Sequence, residues 1–299
     1  MLGLLKSDLY RIFNPNHLRG ELIGCSIALV IIIGGSLGLT AFMLSHAATS
    51  FGLLTTQDVV ELSGELTVAL HQPSAFLGSI LLDGGSISII AMLGVAFGMC
   101  AEYRDGFAKT LIQASGRTTY FLEKIAFNAI WSALVLAIGC LIAIAFAGAL
   151  GFPLSLDEDP SRLFAWFALS WLGMWTLSLT ALAFAVLTPR IGAVYAAIIF
   201  VGAGAISGFF NILASICKVF SEFKLGADSM HEAMGAFAGL FPTNLLKTLA
   251  EGSQVLFEPA TTPGLALPGG FITQALLGFS AVALLSIAIV LVKGHKREY

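Results

Sequence analysis

Charge is scarce in this chain. Asp, Glu, Lys and Arg together make up 11% of its 299 residues, against 57% hydrophobic residues. A soluble domain needs polar groups to cover its surface, and this composition does not supply them. The hydrophobic residues also fall in blocks of about 20 or more, long enough to cross a hydrocarbon layer as helices. Runs such as 27–39 and 281–292 do not alternate in polarity, as the strands of a membrane barrel would. The composition reads as an all-α, polytopic membrane protein, and a net charge of -3 speaks against nucleic-acid binding.

Other scarcities narrow the chemistry. The five histidines stand at 17, 46, 71, 231 and 295, all at ends or in loops, so no span carries the usual near-neutral base. The run Gly204-Ala205-Ile206-Ser207-Gly208 superficially resembles an intramembrane serine protease, but no span-borne histidine could take the serine proton. There is no HExxH, no pair of intramembrane carboxylates and no metal-type spacing among Cys25, Cys100, Cys140 and Cys217, which read as small core residues. Lys6, Asp8 and Arg11 interrupt any apolar stretch of a signal peptide. A GxxxxGK[ST] phosphate loop is also missing. The expectation is a chain that is not an enzyme, binds no cofactor or metal, and hydrolyses no nucleotide by itself.

What is there is a regular sequence of spans. Leu2, Leu5, Leu9, Ile12 and Phe13 recur at helical spacing with charges on other faces, which predicts an interfacial helix over 1–15 ended by Asn14-Pro15. Six spans are expected near 22–44, 76–101, 125–150, 163–187, 191–216 and 271–292. With both termini inside, inner segments hold Lys6, Arg11, Arg19, Arg104, Lys109, Arg117, Lys124, Arg190, Lys293, Lys296 and Arg297. Outer segments hold only Arg162, Lys218, Lys224 and Lys247, so the positive-inside bias places both termini in the cytoplasm. Residues 45–75 predict a small amphipathic helix on the outer face. Residues 217–270 read either as a plain outer loop or as broken helical pieces packed on protein, with a Pro- and Gly-rich linker at 258–270.

Residues 102–124, EYRDGFAKTLIQASGRTTYFLEK, form a charged island between two apolar runs. Its middle, 107–114, predicts a two-turn helix with Phe107, Leu111 and Ala114 along one side and Lys109 and Gln113 on another. Tied between two spans, it is either an ordinary basic loop or a docking surface that would tilt both spans when pressed.

Within the spans the polar candidates are few. Asp83 is the one acidic residue, and it either faces a pathway or caps a helix that restarts near Ser86 after Asp83-Gly84-Gly85. Asn128 and Asn211, near the ends of the third and fifth spans, are pathway candidates or helix–helix glue. Gly34, Gly35 and Gly38, with Gly204 and Gly208, make small-residue faces suited to close helix approach within one chain or across a dimer.

The arrangement resembles a type-2 ABC transporter permease, the membrane subunit that works with a separate ATPase. The resemblance rests on Glu102, Gly106, Lys109, Arg117 and Lys124 at the family's spacing, with Tyr120-Phe121 before the last, and on the opening LLKSDLYRIF. Phe107 departs from it, since the family commonly has Thr after the glycine. The resemblance implies a single permease domain over 1–299 whose segment 102–118 sits in a cleft on the ATPase, through Glu102, Arg104, Gly106, Phe107, Lys109, Leu111, Arg117 and Lys124. It implies ATP and Mg on that partner, a second permease copy or a related permease, the cell membrane as location, and export of an unidentified substrate. The alternatives are a non-transporting immunity or sensor subunit, and an ion-coupled secondary transporter using Asp83.

Overall fold

The computed structural model describes residues 5, 6, 8, 21–42, 72–150, 152, 158–188, 190–222, 228–257 and 268–296. Most of the expected interfacial helix, the outer helix within 45–75, and the linker at 258–267 lie outside them. The described residues are helical, with no strand among them. In chain order the helices are α1 (Glu21–Phe42), α2 (Pro73–Leu81), α3 (Ser86–Arg104), α4 (Phe107–Ser115), α5 (Arg117–Ala149) and α6 (Pro160–Leu187). They continue with α7 (Ile191–Gly202), α8 (Ala205–Glu222), α9 (Asp228–Gly239), α10 (Pro242–Leu249), a 3₁₀ turn at Ser253–Phe257, and α11 (Gly270–Lys296). Five helices are long and apolar enough to cross a membrane, or six if the bent pair α7–α8 counts as one span. The chain is a multi-pass membrane protein.

Two of the expected spans are broken, the second at the Asp83-Gly84-Gly85 turn that one reading of the sequence allowed and the fifth against expectation. The second divides at residues 82–85 into α2 and the 19-residue α3. The fifth bends by 49° between α7 and α8. Glycine explains both: Gly85 and Gly204 adopt φ of +63° and +73°, where a side chain is strained. The breaks also touch, since a Cβ on Gly85 would lie 2.7 Å from the carbonyl oxygen of Gly202.

The third span is longer than expected. At 33 residues α5 extends about 50 Å, well beyond a hydrocarbon core of about 30 Å, so residues 117–124 of the island are its first two turns. Helix α6 is the central post, with 72% of its apolar window buried, and it packs on α3, α5, α10 and α11. Helix α1 is peripheral at 17%, lying against α3 and α5.

Within the segment between the fifth and sixth spans, residues 242–257 are packed structure and not a plain loop. Leu245, Leu246 and Leu249 of α10, with Val255 and Leu256 of the 3₁₀ turn, are buried. The indole N–H of buried Trp166 donates to the Leu249 carbonyl at 2.7 Å. Pro242, which interrupts the sequence pattern, stands in the first turn of α10, where its missing N–H costs nothing.

Glu158 fastens this layer. Its carboxylate accepts from the Ser74 amide at 2.9 Å and from the Ser74 and Ser253 hydroxyls, so it serves the α2 N-terminus that Gln72 leaves uncapped. Its neighbour Asp159 caps α6, accepting from the Ser161 amide at 2.9 Å and hydroxyl at 3.0 Å. Those two donors hold the Asp159 carboxyl below the usual aspartate range.

Candidate functional site

Helix α4 lies between the end of α3 and the start of α5, set off by two glycines. Gly106 and Gly116 have φ of +70° and +83°, so the chain turns sharply on both sides of a nine-residue helix. Ala108 and Ile112, one turn apart, are buried against the bundle, and Leu111 is half-buried. Phe107, Lys109, Thr110, Gln113 and Ala114 face outward. The packed side therefore runs through 108 and 112, not through Phe107 and Ala114 as the periodicity predicted. Phe107 and Leu111 are four apart, as are Ala108 and Ile112, so helical spacing alone allowed either side. Phe107 stays 46% exposed on a helix end already rich in charge, since Arg104 beside it is exposed and paired with Asp105 at 3.1 Å.

Beside α4 lies a buried polar cluster. Lys124 Nζ donates to Asp8 Oδ2 at 2.5 Å and to Glu102 Oε1 at 2.7 Å, and Glu123 Oε2 stands 3.8 Å away. Tyr120, one helical turn before Lys124, donates its hydroxyl to Glu102 Oε2 at 2.7 Å. Asp8, Glu102, Glu123 and Lys124 are each 9% exposed or less. The cluster ties the N-terminal segment, the end of α3 and the start of α5 into one unit. A small cavity of about 40 Å³ borders it, lined by Asp8, Met99, Glu102, Lys124 and Trp131 among others.

The island's candidates thus separate by position. Arg104, Gly106, Phe107 and Lys109 are on the exposed surface, and Leu111 is half-covered. Glu102 and Lys124 are inside, partnered with each other. Arg117 donates from its guanidinium to the carbonyl of His295, joining α5 to the last turn of α11, where a cation also complements the helix dipole. Asp8 and Glu123 were not among the site residues expected from the sequence, and Tyr120 entered only as part of the family's spacing. The spacing of Tyr120 and Lys124 on one helix face was the available signal, but nothing in it named Glu102 as their common partner.

Asp83 does not cap α3. The N-cap is Gly85, with no side-chain cap, and Asp83 is an exposed turn residue. Asp83 and Asn211, far apart in sequence, line the same cavity at the two helix breaks. Asn128 is elsewhere, fully buried in α5, with neither side-chain atom bonded among the described residues. Gly35, Gly38 and Gly208 meet nothing within 4 Å of a built Cβ, whereas Gly34 lies against the Phe146 ring and Gly204 forms the break before α8. No group of three or more His, Cys, Asp or Glu among the described residues could hold a metal ion. Comparison of the chain with protein-family models, curated proteins and solved structures finds no match.

Proposed function

We propose that this chain is the membrane subunit of an ATP-driven ABC-type transporter, of exporter type, moving a substrate by alternating access. One observation carries the reading: α4 is an exposed helix built as a lever. It presents Phe107 and Lys109 outward, while the chain on both sides of it is locked by the buried Lys124–Glu102–Tyr120 contacts. Force applied to α4 passes into α3 and α5 rather than bending a loop. The partner would be a separate ATPase that carries ATP and Mg and receives α4 in a cleft. A second permease copy or a related chain would complete the pathway, and the basic-residue bias puts α4 and both termini on the cytoplasmic side of the cell membrane.

An exposed aromatic flanked by cations is the usual composition of an interface anchor, and truncating an anchor of this kind costs 2 kcal/mol or more, about 30-fold in affinity. The test is a cross-link from Phe107→Cys to a chain bearing a GxxxxGK[ST] loop, followed by reconstitution of the pair. Phe107→Ala with Lys109→Glu should weaken docking about 30-fold and abolish ATP-dependent flux, with membrane insertion and heat stability unchanged. Unchanged docking and flux would remove α4 as the coupling element.

A further inference from the structure

The two helix breaks and α10 enclose a polar cavity of about 270 Å³, at the end of α3 opposite α4. Three helix N-termini open onto it. Helix α3 starts after Gly85, α8 starts after Gly204, and α10 starts at Pro242 with no side-chain cap on Phe241. Gly85 and Gly204 cannot cap with a side chain and Phe241 does not, so these termini offer backbone N–H groups, Pro242 excepted, and the positive ends of their dipoles. In the first turn of α3, Ser88 lines the cavity, is 2% exposed, and its hydroxyl has no hydrogen-bond partner among the described residues. Native structures rarely leave such a group unmatched.

Two opposite charges stand on the same wall. Lys247 of α10 and Asp83 of the 82–85 turn both line the cavity, and among the described residues neither makes an ion pair or side-chain hydrogen bond. They are not paired with each other, so each charge is open to a bound group. Leu82, Leu177 and Leu246 complete the wall with apolar surface.

We propose that this cavity binds a zwitterionic phosphate ester of the phosphoethanolamine type. The phosphate lies against the three N-termini, Ser88 and Lys247, and the ammonium faces Asp83. A tetrahedral oxyanion suits donors that arrive from three helices, where a planar carboxylate offers only two oxygens. The volume lies just under the roughly 300–1,000 Å³ of pockets for drug-sized ligands, which suits a head group and not its acyl chains. The site stands apart from the transport reading, since it concerns binding to this chain alone.

The test uses the full chain in maltoside micelles, titrated with phosphatidylethanolamine and with phosphatidylglycerol of the same acyl chains, bound lipid being read by native mass spectrometry. Wild type should retain the ethanolamine lipid at least tenfold better. Asp83→Asn should erase that preference, Lys247→Gln should weaken retention of both lipids five- to tenfold, and Lys109→Gln at the far end should change neither. Ala203→Phe, at an exposed rim position, fills the cavity without touching the polar groups and should abolish retention, which guards against a misfolded Asp83 variant. Soluble glycerophosphoethanolamine supplies the second arm: if it displaces the lipid the natural ligand is a soluble ester, and if it does not the ligand comes from the bilayer. Equal retention of the two lipids by wild type, or a preference that survives Asp83→Asn and Ala203→Phe, overturns the site.

Discussion

Lys124 is one ammonium among three carboxyl groups, and all four groups are buried. Removing one member of a buried ion pair leaves the others uncompensated, and that cost, about 3–5 kcal/mol, exceeds what the intact pair contributes. Lys124→Met should therefore lower the heat-unfolding midpoint sharply. Glu102→Gln keeps an acceptor for the Tyr120 hydroxyl and should do less damage. Exposed Lys109→Ala should leave stability within about 0.5 kcal/mol. Unfolding in detergent followed by size-exclusion recovery would rank the three, and a Lys124 variant as stable as the Lys109 one would show that the cluster braces nothing. Sequence spacing marked Lys124 as part of a basic island. Its burial was not legible, because Asp8 and Glu102 reach it from segments 116 and 22 residues away.

At the level of elements, the closest approach to a rigid backbone is made by glycines outside the Gly34, Gly35 and Gly38 stripe. A Cβ on Gly78 of α2 would stand 2.5 Å from the backbone oxygen of Ala250, which cannot rotate aside. Alanine gains up to about 1 kcal/mol over glycine in a helix, but overpacking against rigid atoms costs about 1–3 kcal/mol. Gly78→Ala should thus lower the unfolding midpoint. Gly35→Ala on α1, with nothing within 4 Å, should leave it unchanged or raise it. Opposite signs from the same substitution, measured by heat unfolding, would confirm that α2 is seated on the α10 turn. Equal effects would mean that α2 is not seated on that turn. The stripe of Gly34, Gly35 and Gly38 is plain in the sequence, yet a stripe does not reveal whether a neighbour is near.

Across the whole molecule, α3 separates the lever from the cavity by about 28 Å, close to a hydrocarbon thickness. Lys109 and Lys247 are exposed at these two ends. In a background with Cys25, Cys100, Cys140 and Cys217 replaced by alanine, Lys109→Cys and Lys247→Cys should react with an impermeant maleimide from opposite sides. Intact cells should label only one of them, and permeabilised cells both. Labelling of both in intact cells would contradict a lever and a cavity on opposite faces.

Composition and apolar run length were sufficient to require helices across a bilayer, because unpaired backbone groups cannot be left in hydrocarbon and charge was too scarce to cover a soluble surface. The short helix between the second and third spans was legible for the same local reasons: turn glycines, amphipathic spacing and flanking charge. The tertiary structure decided which side of that helix is buried, where the fifth span breaks, and which polar residues meet. Those depend on how closely backbones approach, at Gly85 against Gly202 and at Gly78 against Ala250, and on contacts between segments remote in the chain. Ser88 and Lys247 are unremarkable in sequence, Asp83 and Asn211 stood out there only as separate pathway candidates, and the four share one cavity because three helix ends converge there.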